Sequence, residues 1–252
     1  MSKKEYRYFL EIAYKGTAYH GWQIQKNAVS VQDILHSKME VLLQEPVLTI
    51  GAGRTDTGVH AKQMYAHFDT TKLGGINKEE RFLYSLNSLL PRDIAIKNIL
   101  KVAADAHARF DATERSYEYR MHFSKNPFLQ EFSSFQRKKP NIEKMNKAAK
   151  LLLGEKDFSC FSKSRTQVFT NICTIKRAEW KWESDSLVFH ITANRFLRNM
   201  VRAIVGTCLE IGLSSKSAPY ITEIIESKNR SMAGSSVPAH GLYLTAVKYP
   251  YL

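Results

Sequence analysis

The chain has 252 residues, 44% of them hydrophobic, and sets 37 Lys and Arg against 24 Asp and Glu for a net charge of +13. That length and composition exclude a disordered chain and allow a core that needs neither disulfides nor metal. The charge surplus attracts polyanions, nucleic acid above all, and with no basic amphipathic anchor, lipidation signal or long apolar run a membrane partner is not expected.

Tyr6 to Ala13 alternate and are rich in aromatics, which predicts a strand. Ser30 has the character of an N-cap with Asp33 in the reciprocal position, and Val31, Ile34, Leu35, Met39, Leu42 and Leu43 follow at helical spacing. Val47 to Ile50 reads as a short strand running into the loop Gly51-Ala52-Gly53-Arg54-Thr55-Asp56-Thr57-Gly58. Met64, Ala66 and Phe68 alternate as the next strand. A helix from Asn77 through Leu90 is stopped by Pro91, and Ile94 and Ile96 mark a fourth strand. The order β-α-β-β-α-β is the ferredoxin-like arrangement.

The second half reads in the same order. Arg115 to Phe123 is a strand, and Ile142 to Leu153 a helix that Gly154 closes as C-cap. Two strands lie around Trp180–Trp182 and Leu187–Ile191. A long helix is predicted from Asn194 to Ile211, closed by Gly212, with Arg195, Arg198 and Arg202 as a basic stripe along it. A shorter helix near Ala218 to Ser227 and a strand over Leu242 to Val247 end the chain. The fold expected is α+β: two ferredoxin-like halves, 1–105 and 106–252, sharing a largely antiparallel sheet with helices on one side and a cleft between them. Arg137-Lys138-Lys139 within 124–140, and the basic residues of 163–171, are candidates for phosphate contact.

Cys160, Cys173 and Cys208 are scattered, with no Cys-x-x-Cys and no histidine at metal-ligand spacing. They suggest a reducing compartment and buried thiols. The amino-terminal stretch lacks a signal peptide's apolar core and cleavage site, so a cytoplasmic location is expected.

The loop from Gly51 to Ala61 carries the most chemistry. Its glycines permit positive φ and close backbone approach, and Arg54 and Asp56 stand two residues apart on the way out of a strand. It reads as a turn whose Asp caps backbone amides, as a phosphate cradle of glycine N–H groups, or as a catalytic loop presenting a carboxylate beside a guanidinium. It matches neither GxxxxGK[ST] nor GxGxxG, which argues against a nucleotide cofactor.

Gly53-Arg54-Thr55-Asp56-Thr57-Gly58-Val59-His60-Ala61 resembles the signature of the TruA family of tRNA pseudouridine synthases. So do Ala13-Tyr14-Lys15-Gly16 with Tyr19-His20-Gly21-Trp22-Gln23, and His107 to Ala112 followed by Arg115-Ser116-Tyr117-Glu118-Tyr119. Asn126-Pro127-Phe128, Asp157-Phe158, Phe196 with Met200-Val201-Arg202, and Gly241-Leu242-Tyr243-Leu244 follow in family order, so the likeness spans nearly the whole chain. The resemblance implies the pseudouridine synthase fold and an isomerase that converts uridine to pseudouridine in the anticodon stem-loop of tRNA, usually at positions 38 to 40. It implies no cofactor, no metal and a homodimer. Asp56 resembles the catalytic aspartate, Arg202 the arginine that pairs with it, and Tyr117 the tyrosine that stacks on the uracil. Leu242 resembles the leucine packing against that base, and Arg54 the arginine that contacts the RNA backbone and holds the base out. His60, His20 and Trp22 are expected to be structural, and Tyr119 a core aromatic. A non-catalytic RNA-binding module is the rival reading, since ferredoxin-like sheets bearing aromatics bind single strands. A synthase acting at another tRNA position is the second.

Overall fold

A computed structural model describes residues 6–74, 77–163 and 169–252. Most of the basic loop 163–171 therefore lies outside the described residues. The chain divides into two compact units, Met1–Thr113 with Leu244–Leu252, and Glu114–Tyr243. The architecture is α+β with a mostly antiparallel sheet, in which Ser134–Phe135 pairs parallel to Glu114–His122.

In the first unit the order is β1 (Tyr6–Tyr14), α1 (Val31–Leu43), β2 (Ile50–Gly51), β3 (His60–Thr70), α2 (Lys78–Leu89) and β4 (Ile94–Val102), the predicted β-α-β-β-α-β. β1 is central, antiparallel to β3 and β4, with Leu10 opposite Ala66 and Ile99. α1 starts where Ser30 predicts, because the Ser30 side chain accepts a hydrogen bond from the Asp33 N–H at 3.2 Å. Tyr8 stacks on Phe68, which meets Phe82 of α2 and so marks the helix-covered face of β1. Phe9 points the other way and is equally buried, against Tyr65, Tyr249 and Tyr251. The carboxy-terminal residues thus cover a sheet face that the unit's own helices leave open, which is why Leu244–Leu252 belongs to this unit.

The second unit contains β5 (Glu114–His122), β6 (Ser134–Phe135), α3 (Ile142–Lys150), β7 (Gly154–Asp157), β8 (Ile172–Glu183), β9 (Ser186–Ala193), α4 (Met200–Leu213) and α5 (Tyr220–Ser227). β10 (Leu242–Lys248) begins in it and passes into the first unit. The larger strands run β5-β9-β8-β7, with Tyr119 and Trp180 both opposite Phe189. α3 is fastened to β8 by Asn146, whose amide donates to the Trp180 carbonyl and whose oxygen accepts the Trp180 N–H. α4 is the most buried helix, with Val201, Ala203, Ile204, Val205 and Cys208 all inside.

Three helix ends differ from the sequence expectation. α3 stops at Lys150, and Gly154, at φ +89°, opens β7 instead of closing the helix. α4 begins at Met200 rather than Asn194, because Asn194 turns its side chain back onto the N–H groups of Thr174 and Arg195, and Asn199 sits at φ +67°. Arg195 and Arg198 precede the helix, so the predicted basic stripe does not form. Gly212 lies within α4 and is there for packing: a Cβ on it would meet the Met145 side chain at 2.8 Å.

Candidate active site

Asp56 sits on the loop between β2 and β3, and a second segment of the same unit, Gly16 to Gln23, grips that loop from beside it. The Trp22 N–H donates to the Thr55 carbonyl at 3.4 Å, and the Gly58 N–H to the Tyr19 carbonyl at 3.3 Å. Tyr14, buried at 4% exposure, shares a 2.8 Å hydrogen bond between its hydroxyl and that of Thr55. Within the loop the Val59 N–H closes a turn onto the Asp56 carbonyl at 3.1 Å, with Gly58 at φ +78° in its third position. Asp56 itself is half-exposed. The backbone of Asp56 is thus held in place while the residue is not sealed from solvent.

The gripping segment can approach so closely only because it is glycine at two positions. A Cβ on Gly16 would lie 2.0 Å from the Val59 carbonyl oxygen, and one on Gly21, at φ +85°, 2.3 Å from the Thr55 carbonyl oxygen. The loop's own glycines are less alike than the sequence suggests. Gly51 is needed for approach, since a Cβ there would strike the Trp22 indole at 2.4 Å, and Gly58 for its positive φ. Gly53 has open space around the same position. Arg54 is exposed, and its Nε donates to the Gln23 side chain.

His60 is a structural residue, as expected. It is 2% exposed, and its Nδ1 accepts the Gly16 N–H at 3.0 Å, which removes that nitrogen as a general base. Trp22 is buried under Gly51, also as expected. His20 differs: its side chain is exposed, and the residue supports the segment through its backbone, donating to the Val29 carbonyl.

In the second unit Tyr117 lies on β5, half-buried, with its ring edge-on to Phe196 at 5.2 Å and 89°. Tyr119 is fully buried, donates its hydroxyl to the Pro238 carbonyl at 2.9 Å, and has its ionisation pushed up by burial. That is the core role expected of it. Leu242 is 6% exposed at the start of β10, just after Gly241, where a Cβ would come within 2.8 Å of the Tyr119 ring. Arg202 stands in the first turn of α4, half-buried, and its Nε donates to the Val237 carbonyl at 2.8 Å. Val237 returns its own N–H to the Arg202 carbonyl at 3.3 Å.

The extended segment from Ala233 to Pro238 therefore runs along α4, and Gly206 sets how near it comes. A Cβ on Gly206 would lie 1.8 Å from the Ser235 carbonyl oxygen, while the Gly234 N–H donates to the Thr207 hydroxyl at 2.9 Å. Helix propensity alone makes Gly206→Ala stabilising by about 1 kcal/mol. Forcing the segment off α4 costs about 3 kcal/mol and outweighs it. Thermal melting of Gly206→Ala is therefore expected to show a lower Tm, and an unchanged or raised Tm contradicts the packing described.

Neither Tyr14 as partner of Thr55 nor the Ala233–Pro238 segment could be found by periodicity, since both act through tertiary hydrogen bonds that leave no repeat in the sequence. The glycines at 16 and 21 were the available signal, lying six residues ahead of a buried tryptophan and beside it. All three cysteines are buried, and burial pushes their thiols up, Cys173 to about 11 and Cys160 and Cys208 to about 12. Among the described residues no group of three metal-ligating side chains occurs, and no helix is long and apolar enough to cross a membrane.

The model of the family described as tRNA pseudouridine synthase matches residues 148–250. The tRNA pseudouridine synthase A of Porphyromonas gingivalis is 48% identical over 97% of this chain and 97% of its own length. That of Bacteroides fragilis is 47% identical over 97% and 96%, and that of Acetivibrio thermocellus 43% identical over 95% and 98%. The chain belongs to the tRNA pseudouridine synthase A family, a family of isomerases.

Proposed function

We propose that this protein isomerises uridine to pseudouridine in the anticodon stem-loop of tRNA, at positions 38 to 40, with Asp56 as the catalytic carboxylate. In that reaction the bond between the ribose C1′ and uracil N1 breaks, the base turns, and a C1′–C5 bond forms. The C5 proton leaves and N1 gains one, so substrate and product have the same atoms and no redox or energy-carrying partner is required. A carboxylate serves such a reaction as a nucleophile on sugar or base, or as the base for a sugar proton. What carries the reading is the half-exposed Asp56 on a loop clamped through Thr55 and Gly58 on either side of it. A binding module has no use for a carboxylate held rigidly where it repels phosphate.

The other residues take roles suited to an extruded base. Tyr117 offers a flat ring for the uracil, a contact worth about 1–3 kcal/mol per base, and Leu242 an apolar side chain for it. Arg202 supplies positive charge that favours the ionised carboxylate. Arg54 contacts the RNA backbone. The protein works in the cytoplasm as a homodimer. Purified protein is to be incubated with unmodified tRNA and pseudouridines mapped by position. Product at positions 38 to 40 supports the proposal. Product elsewhere identifies a synthase of different specificity, and binding without product identifies the non-catalytic module.

Recognition by shape and phosphates makes affinity depend on salt, given the charge of +13. The Kd for tRNA is expected to weaken about a hundredfold or more between roughly 50 and 200 mM salt. A filter-binding titration across that range checks it, and a flat response contradicts phosphate-led binding.

A further inference from the structure

Residues Ala233 to Pro238 belong to no helix or strand, yet they are fastened from outside by one side chain in particular. The Arg230 guanidinium donates to the carbonyls of Ala233 at 3.2 Å and Gly234 at 3.3 Å, and to the Ser236 hydroxyl at 3.0 Å. Ser236 also accepts from the Asn199 amide at 2.6 Å, immediately before α4 begins. The next residue is Val237, whose carbonyl holds the Arg202 Nε, and the one after is Pro238, whose carbonyl holds Tyr119. Arg230 thus braces the near end of a strap whose far end grips Arg202. A carbonyl on Nε fixes the plane in which a guanidinium's terminal nitrogens donate, so moving that carbonyl turns the whole fork.

We infer that Arg230 is a positioning residue for the isomerisation: by fixing the strap it sets the orientation of the Arg202 guanidinium. The inference rests on the reading of Arg202 as the active-site cation. Arg230 acts through a two-carbonyl, one-hydroxyl fork, which lysine cannot reproduce although it keeps the charge. Displacement of a charge by about 1 Å at a reacting centre costs rate out of proportion to its cost in stability.

The test is steady-state kinetics on tRNA with Arg230→Lys and Ser236→Ala, alongside thermal melting of each. Arg230→Lys is expected to lower kcat about tenfold with KM held within about twofold, and Ser236→Ala to lower kcat about threefold in the same pattern. Both are to be assayed well below their melting temperatures. With Arg230→Ala, added guanidinium ion is expected to restore part of the lost kcat. A fall in Tm with kcat unchanged overturns the inference and leaves Arg230 as a brace alone. Equal losses in the amount of folded enzyme and in kcat do the same. Arg202→Lys is the control on the premise: full activity there removes Arg202 from the chemistry and the inference with it, while Asp56→Asn reports on the carboxylate independently.

Discussion

Asp56→Asn is expected to abolish pseudouridine formation, by about a thousandfold or more in kcat, while tRNA affinity stays within a few-fold of wild type. Asparagine has nearly the shape of aspartate and leaves in place the backbone hydrogen bond from the Val59 N–H to the carbonyl of residue 56. It cannot carry the charge that a nucleophile or base needs. Removing a negative charge also removes a repulsion from phosphate, so affinity is expected to stay level or improve. Single-turnover product formation and filter binding on the same preparations separate the two effects. Normal product formation by Asp56→Asn contradicts the mechanism, and loss of both activity and binding points to a folding defect instead.

Gly21→Ala carries the second large effect, and it tests the clamp without touching the carboxylate. At φ +85° an alanine costs about 1–2 kcal/mol from backbone conformation alone. Its Cβ would also lie 2.3 Å from the Thr55 carbonyl oxygen, so the loop must shift. Because that carbonyl belongs to the residue before Asp56, the shift passes into the proposed catalytic position. Activity is expected to fall about a hundredfold, more than a Tm loss of a few degrees explains. Gly53→Ala is the matched comparison, since the added methyl meets open space and activity is expected to change little. Equal losses in the two variants contradict the assignment of the clamp to Gly21.

The fold was legible wherever an element's burial follows its own period or composition. α1 and α2 carry their period in the sequence because one side of each is buried, β1 shows itself by its run of aromatic and branched residues, and Ser30 marks its helix by a local hydrogen bond. The start of α4 was not legible. Phe196, Leu197, Met200 and Val201 continue an apolar pattern through a stretch where the Asn194 side chain holds the backbone in a loop. Gly154 and Gly212 misled for a related reason: glycine marks a positive φ or a close approach as readily as a helix end, and composition does not say which.

The candidate site was legible in a different way. The Gly-rich loop alone left a turn, a phosphate cradle and a catalytic loop open, and the ordered motifs along the chain favour the last only through the family resemblance they carry. Its support was largely hidden, because the Tyr14 hydroxyl, the Gly16 and Gly21 approaches and the Ala233–Pro238 strap are tertiary contacts without a period.

The most direct test of Asp56-dependent isomerisation is pseudouridine mapping in tRNA from cells lacking this protein, complemented with wild type or with Asp56→Asn. The account predicts that pseudouridine at positions 38 to 40 disappears, returns with wild type, and stays absent with Asp56→Asn at equal protein level. Restoration by Asp56→Asn, or no loss at those positions in the first place, contradicts it.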